Sequence, residues 1–165
     1  MLDSGKARNA ARACALLLVL APAACVRTSP DQEAEKARVA QAIHACIGWA
    51  ETKDFHLLYG VIANDPDFLE VHPDGAVVKG FEDFRKAETF WASPDFKAVR
   101  YDIRDLRIRL SKSGEVAWFF GLLDDINEWK GRPANWENTR WTGVLEKRAG
   151  RWVMVQQHFS FAAKS

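Results

Sequence analysis

The chain of 165 residues is 48% apolar and 27% charged with a formal net charge of +1, which fits one globular domain and excludes a disordered, fibrous or multi-domain protein. Its 23 Lys and Arg nearly balance 22 Asp and Glu, so the basic excess that phosphate binding leaves is missing and nucleic acid is not an expected partner. The averages hide a division: the first 24 residues hold 16 apolar residues but none of the 19 aromatics, so export and folding information are physically separate.

Lys6, Arg8 and Arg12 form a positive segment, Ala13 to Leu20 an apolar one, and Ala21, Ala23 and Ala24 a small-residue cleavage region, the pattern of a signal peptide over residues 1–24. The apolar run is far shorter than the roughly 20 residues that span a bilayer. Pro22-Ala23-Ala24-Cys25 resembles a bacterial lipobox, with Pro22 where that motif usually carries Leu. Two readings follow: lipidation of Cys25, or plain secretion with Cys25 free or oxidised. The expected location is periplasmic or cell-envelope lipoprotein, otherwise secreted, and membrane contact would run only through that lipid. Without residues 1–24, 20 Lys and Arg face 21 Asp and Glu over 141 residues, so the mature chain is slightly acidic. Cys14 leaves with the signal and Cys46 has no partner except Cys25, which indicates no disulfide framework. There is no CxxC or HxxxH spacing, and His44, His56, His72 and His158 are scattered, so neither a metal nor a cofactor is expected.

Residues 25–30 read as a tether, and Ser29-Pro30-Asp31-Gln32 offers an N-cap, a Pro at the first helical position and a Gln three residues after the cap. Val39, Ile43, Cys46, Ile47 and Ala50 then repeat at helical spacing, and Phe55, Leu58, Tyr59 and Ile62 repeat it after Asp54. A strand over Phe68 to His72, a Pro73-Asp74-Gly75 turn and a strand over Ala76 to Lys79 form a short hairpin. Phe81, Phe84, Ala87 and Trp91 suit a third helix that Pro94 ends. Phe96 to Leu110 alternates like a strand with a change of parity near Arg104-Asp105, the signal of a β-bulge. A long strand runs from Glu115 to about Trp129, and Gly131-Arg132-Pro133 breaks the chain. Trp136 to Arg148 and Arg151 to Phe161 flank Ala149-Gly150 as a hairpin that sets Val144 opposite Val155 and Trp141 opposite His158. The expected fold is α+β: a cone-shaped, curved antiparallel sheet covered by N-terminal and mid-chain helices, with a pocket in its concavity. Trp118, Phe120 and Leu122 share one strand face while Phe119 and Leu123 are apolar on the other, so the outer face needs a cover, for which a second copy is the simple candidate.

Asp124 and Asp125 are adjacent on a strand and point to opposite faces, which excludes a shared-proton pair. The parity of Trp118 carries Asp124, where apolar neighbours would raise its pKa and suit it to acid or base work; the bland reading is a solvated strand-end Asp. His158 is a second proton-transfer candidate, against a histidine merely held beside Trp141. Arg140 either pairs with Glu137 or Asp124 or holds an anionic ligand. Trp118, Trp129, Trp136, Trp141 and Trp152, with Phe120, could wall a flat apolar ligand, and the loop 130–135 could add Asn135 as a polar rim contact. His72-Pro73-Asp74 matches the chaperone J-domain tripeptide by accident, since it lies at a hairpin, and Arg100, Arg104, Arg107 and Arg109 read as a solvated strand face.

Asp54-Phe55 with Leu57-Leu58-Tyr59, Asp65-Pro66-Asp67-Phe68-Leu69, Val116-Ala117-Trp118-Phe119, and the run from Arg140 to Arg148 with Gly150-Arg151-Trp152-Val153 and Gln157-His158-Phe159-Ser160 resemble the SnoaL-like group. That group belongs to the nuclear transport factor 2-like superfamily, also described as a cystatin-like roll. The resemblance covers residues 31–161 and implies a cone-shaped α+β barrel, dimeric through its sheet, with a pocket between sheet and helices. It implies no single reaction, because the superfamily holds isomerases, dehydratases, cyclases and non-enzymatic association domains. The first expectation is an exported pocket protein that binds an apolar or aromatic small molecule. The alternatives are an isomerase or hydratase moving a proton with Asp124 or His158, and a dimeric association module.

Overall fold

The structure, a computed structural model, describes residues 30–163. The expected signal peptide, Cys25 and the Ser29 cap lie outside the described residues. Helix α1 (Pro30–Gly48) carries Asp31 and Glu33 in its first turn, where acids suit the helix dipole. It buries Val39, Ile43 and Cys46 of the stripe that its spacing predicts, together with Ala42, while Ile47 is half-buried, as is Ala50 in the turn that follows. A single 3-10 turn (Trp49–Glu51) leads to α2 (Phe55–Val61), whose N-cap Asp54 accepts a hydrogen bond from Leu57 N–H at 2.9 Å.

The short hairpin forms as β1 (Leu69–Val71) and β2 (Val77–Lys79), with Asp74 Oδ1 accepting from Ala76 N–H at 3.0 Å in the turn. The third helix is divided into α3 (Phe81–Arg85) and α4 (Glu88–Ala92), a correction to the single helix expected. Its cause is a tightening to i→i+3 bonds, Lys86 N–H to Asp83 O and Ala87 N–H to Phe84 O, both at 3.2 Å. The tighter turn lets Phe84 meet Phe68 while Trp91 meets Trp49, at ring separations of 5.2 Å in both pairs.

The long strands are β3 (Phe96–Leu110), β4 (Val116–Trp129), β6 (Trp136–Arg148) and β7 (Arg151–Ser160), with the two-residue β5 (Arg132–Pro133) folding back on β4. Their order in the sheet is β2-β1-β7-β6-β4-β3, antiparallel throughout except that β1 runs parallel to β7, a pairing the sequence did not suggest. The bulge expected at Arg104-Asp105 is present, with a register shift between Arg104 and Arg107 and Asp105 at φ 52°. A bulge at Val155 of β7 was not expected, and it corrects the hairpin register: Val144 faces Gln156 and Trp141 faces Phe159. Ala149 and Gly150, at φ 49° and 77°, make the tight two-residue turn the sequence predicts.

The sheet curls into a half-barrel whose inner face meets the helices. Phe119, Leu123, Trp141, Leu145 and Met154 pack there against Val39, Ile43, Trp49 and Leu58. Gly143 admits the Phe119 ring directly onto the strand backbone, since a Cβ there would lie 2.6 Å from the ring. Glu35 fastens α1 to the last hairpin by accepting from Lys147 Nζ at 2.7 Å and Trp152 Nε1 at 2.9 Å. The outer face stays open in one chain, with Trp118 48% exposed.

Candidate functional site at the inner mouth of the cone

Strand register sets three inner side chains in one row across the sheet: Tyr101 of β3 lies opposite Asp125 of β4, and Asp125 opposite Trp136 of β6. A bulge makes this possible. Between the Leu123–Thr139 and Asp125–Trp136 pairs, β6 spends two residues, Glu137 and Asn138, against the single Asp124, with Asn138 at φ 51°. Trp136 and Thr139, three residues apart, therefore face the same side. Asn127, the next inner residue of β4, is buried beside them.

The row is polar in an apolar setting. Desolvation pushes the Asp125 carboxyl above its ordinary range, and a side-chain hydrogen bond with Asn127 offsets this only in part. Burial, with the charge of Glu51, also raises the Tyr101 phenol, whose hydroxyl lies 3.3 Å from His44 Nδ1. Gly48 at the end of α1 makes room for that phenol, since a Cβ there would stand 3.0 Å from its oxygen. Two buried side-chain oxygens in this region, Asn127 Oδ1 and Thr139 Oγ1, have no hydrogen-bond partner. Burying a hydroxyl or amide unpaired costs about 1–3 kcal/mol, so their placement calls for a reason.

A second polar line enters from the other side. Trp141 Nε1 donates to Gln157 Oε1 at 3.3 Å, Gln157 Nε2 donates to Glu70 Oε2, and Glu70 Oε1 meets His72 Nε2. Glu70 and Gln157 are neighbours in the parallel β1–β7 pair and both are buried. The hydrogen bond to Glu70 raises the His72 pKa, against an opposing effect of burial. Its ring stands edge-on to Trp136 at 5.5 Å and to Phe159 at 6.4 Å, so Trp136 joins this line to the Asp125 row. Among the described residues no group of three or more His, Cys, Asp or Glu side chains is placed to hold a metal ion.

The SnoaL-like domain profile matches residues 39–164, which is most of the chain. The chain belongs to the SnoaL-like domain family. A nuclear transport factor 2-like superfamily protein from Salmonella enterica serovar Typhimurium is 18% identical with TM-score 0.65, covering 81% of this chain and 95% of that one. A function-unknown protein from Mycobacterium tuberculosis is 17% identical with TM-score 0.68, covering 82% and 78%. A putative calcium/calmodulin-dependent kinase II association domain from Exiguobacterium sibiricum is 8% identical with TM-score 0.62, covering 85% and 99%. At these identities the likeness is one of fold. No curated protein matches the sequence.

Within this SnoaL-like cone, most of the residues singled out from sequence lie away from the inner row. Asp124 accepts from Asn138 N–H at 2.7 Å and from Arg104 Nη2 at 3.0 Å on the outer face. Those bonds, the backbone one first, hold its pKa below the usual carboxylate range, the reverse of the shift expected. Its partner is Arg104, whereas Arg140 is exposed. His158 pairs with Thr142 and is exposed on the same outer side, beside neither Trp141 nor the inner row. Trp118 and Phe120 line an open outer depression of about 490 Å³ with Arg107, Arg109, Thr142 and Val144. Asn135 serves the rim as a brace, accepting from Asn127 N–H at 3.1 Å and donating to Glu137 at 3.0 Å. Trp141 is inside, fully buried and stacked on Phe159 at 5.4 Å. Asp125 was weighed and set aside for Asp124, and Asn127, Thr139, Tyr101, Glu70 and His72 were missed as site residues. The spacing Glu70-x-His72 was the available signal, since residues two apart on a strand share a face.

Proposed function

We propose that this SnoaL-like domain binds a small apolar or aromatic molecule at the inner mouth of its cone and holds one polar group of it against Asp125, Asn127 and Thr139. The unpaired Asn127 Oδ1 and Thr139 Oγ1 carry this reading, because a ligand hydroxyl or amide would satisfy groups that folding alone leaves unpaired. Trp136 supplies an adjacent aromatic wall. para-Nitrobenzyl alcohol, a neutral aromatic alcohol that quenches indole emission, tests it by fluorescence titration. Quenching should fall in Trp136→Phe and survive in Trp118→Phe, and Asp125→Asn should weaken binding several-fold. Quenching that disappears with Trp118 would move the site to the outer depression.

A second reading is isomerase- or hydratase-type proton transfer, with Asp125 in the role first assigned to Asp124 or His158. The raised carboxyl of Asp125 favours it, because burial makes that carboxylate a stronger base than a solvated one. We also propose self-association through the outer face, where Trp118 and the depression around it leave apolar surface in water. The similarity in fold to an association domain agrees with that surface role. Export, with lipidation of Cys25, completes the proposal. Palmitate labelling that persists in Cys25→Ser would refute the anchor.

A further inference from the structure

We propose that His72 is a proton acceptor within this site, and that the natural ligand belongs to the class of small molecules with an acidic O–H (a phenol, enol or carboxylic acid) taken up as the anion. The inference rests on the inner-mouth reading above and deepens it.

Geometry carries it. His72 Nε2 is committed to the Glu70 carboxylate, which fixes that nitrogen as the N–H donor and leaves Nδ1 as the free lone pair. Among the described residues Nδ1 has no hydrogen-bond partner. The imidazole side chain is 27% exposed while that of Glu70 is 7% exposed, so the base reaches solvent and its orienting carboxylate does not. Glu70 is fixed in turn: its second oxygen accepts from Gln157, whose own oxygen accepts from the buried Trp141 indole. A buried carboxylate that orients one imidazole nitrogen while the other faces a reactant is the arrangement by which histidine takes a proton in many unrelated sites. A mere structural histidine needs no such backing, since one hydrogen bond at the hairpin would satisfy it.

The charged groups acting on His72 are Glu70 of β1, two residues before it, and Asp74 in the turn, and both favour the protonated ring. The other elements packed against it present uncharged groups, Trp136 of β6 and Phe159 of β7. In the transfer the ligand O–H bond breaks, the proton bonds to Nδ1, and the electron pair stays on the ligand oxygen. Nε2–H remains directed at Glu70. The product is an imidazolium flanked by two anions, the buried Glu70 and the ligand, and Trp136 with Phe159 keeps the ion pair partly shielded from water.

para-Nitrophenol reads the transfer directly, because its phenolate absorbs where the phenol does not. The bound and free probe are titrated from the pH at which the NMR ring signals of the ligand-free protein show His72 neutral, so that the apparent pKa of the bound probe is read against that of the free one. Bound probe should appear mainly as phenolate in the wild type, and the phenolate-to-phenol ratio should fall about tenfold in His72→Gln, one unit of apparent pKa. Glu70→Gln should lower it in the same direction. In the wild type, the His72 ring signals in NMR should move to their protonated positions as the probe binds, a readout that needs no variant to fold. Bound probe that stays neutral, or phenolate that survives unchanged in His72→Gln, overturns the proposal. para-Nitrobenzyl alcohol separates the two readings: if it binds and para-nitrophenol binds only as the phenol, the inner-mouth reading stands and the role of His72 falls. If neither probe binds, both fall.

Discussion

Thr139→Val should make the protein more stable, a direction opposite to that of most substitutions at a fully buried position. Thr139 is 0% exposed and its Oγ1 has no hydrogen-bond partner, so the folded state carries the desolvation of a hydroxyl without return. Valine has nearly the same volume and the same β-branched shape, and it fits the pleated inner face beside Leu123 with no cavity and no new clash. Removing an unpaired buried hydroxyl recovers about 1–2 kcal/mol on the usual scale. For a domain of this size that amounts to roughly 3–8 °C in Tm. Differential scanning calorimetry and urea denaturation of ligand-free protein measure it, with an unchanged m-value showing that the same surface is exposed on unfolding. Thr139→Ser is the control, since it keeps the hydroxyl, loses a core methyl and should cost about 1 kcal/mol. If the hydroxyl is held for a ligand, the stabilised Thr139→Val protein binds para-nitrobenzyl alcohol less tightly than the wild type. A Thr139→Val protein less stable than wild type by more than about 0.5 kcal/mol would refute the reasoning, because the hydroxyl would then have a partner whose loss is felt.

Gly143→Ala should destabilise by about 1–3 kcal/mol, because its Cβ would stand 2.6 Å from the Phe119 ring and 2.8 Å from a backbone oxygen that cannot turn away; thermal denaturation checks it. Glu35→Gln should lower stability at neutral pH and lose its effect in acid. The Glu35 carboxyl is held down to about 2, chiefly by Arg38, then by Lys147 and Trp152. A depressed acid stabilises the fold above its unfolded pKa and ceases to do so as pH falls through the folded one, so the two Tm curves should meet near that lower pH. Trp118→Glu should leave the fold intact and reduce the mass seen by light scattering from dimer to monomer. A wild type that is monomeric at micromolar concentration would remove the association reading.

Periodicity and turn chemistry carry most of the fold. Val39, Ile43 and Cys46 define the buried stripe of α1, Asp54 caps α2, and Ala149-Gly150 sets the last turn as the residues suggest. What the sequence does not carry is register. The bulge at Val155 moves Phe159 rather than His158 opposite Trp141, and the bulge at Glu137-Asn138 turns Trp136 inward beside Thr139. One inserted residue reverses every later facing, and nothing in the composition of Val155 or Asn138 announces it. The bulge at Arg104-Asp105 was visible only because the apolar parity changes across it. The same ambiguity decided between the two adjacent carboxylates. Asp124 was followed along the face of Trp118, which the structure leaves toward solvent, while Asp125 went with Leu123 to the inside.

On three of the four long strands a run of buried apolar residues is followed by buried or half-buried polar ones. On β4, Ala117, Phe119 and Leu123 give way to Asp125 and Asn127; on β6, Leu145 and Trp141 give way to Thr139; on β7, Trp152 and Met154 are followed by Gln157, with Phe159 beyond it. The polar positions do not form one level, since Thr139 lies opposite Leu123 and Gln157 opposite Gly143. Stability and chemistry are therefore shared along these strands, with none of them assigned to either alone. The last hairpin is fastened to α1 through Glu35, Lys147 and Trp152. The apolar positions supply the free energy that lets the same strands keep unpaired oxygens and a raised carboxyl. The division predicts the outcome of substitution from the position along the strand. Apolar truncations near Leu145 and Met154 should cost stability without moving the site, whereas changes at Asp125, Asn127 and Thr139 should alter binding at little or even favourable cost to the fold.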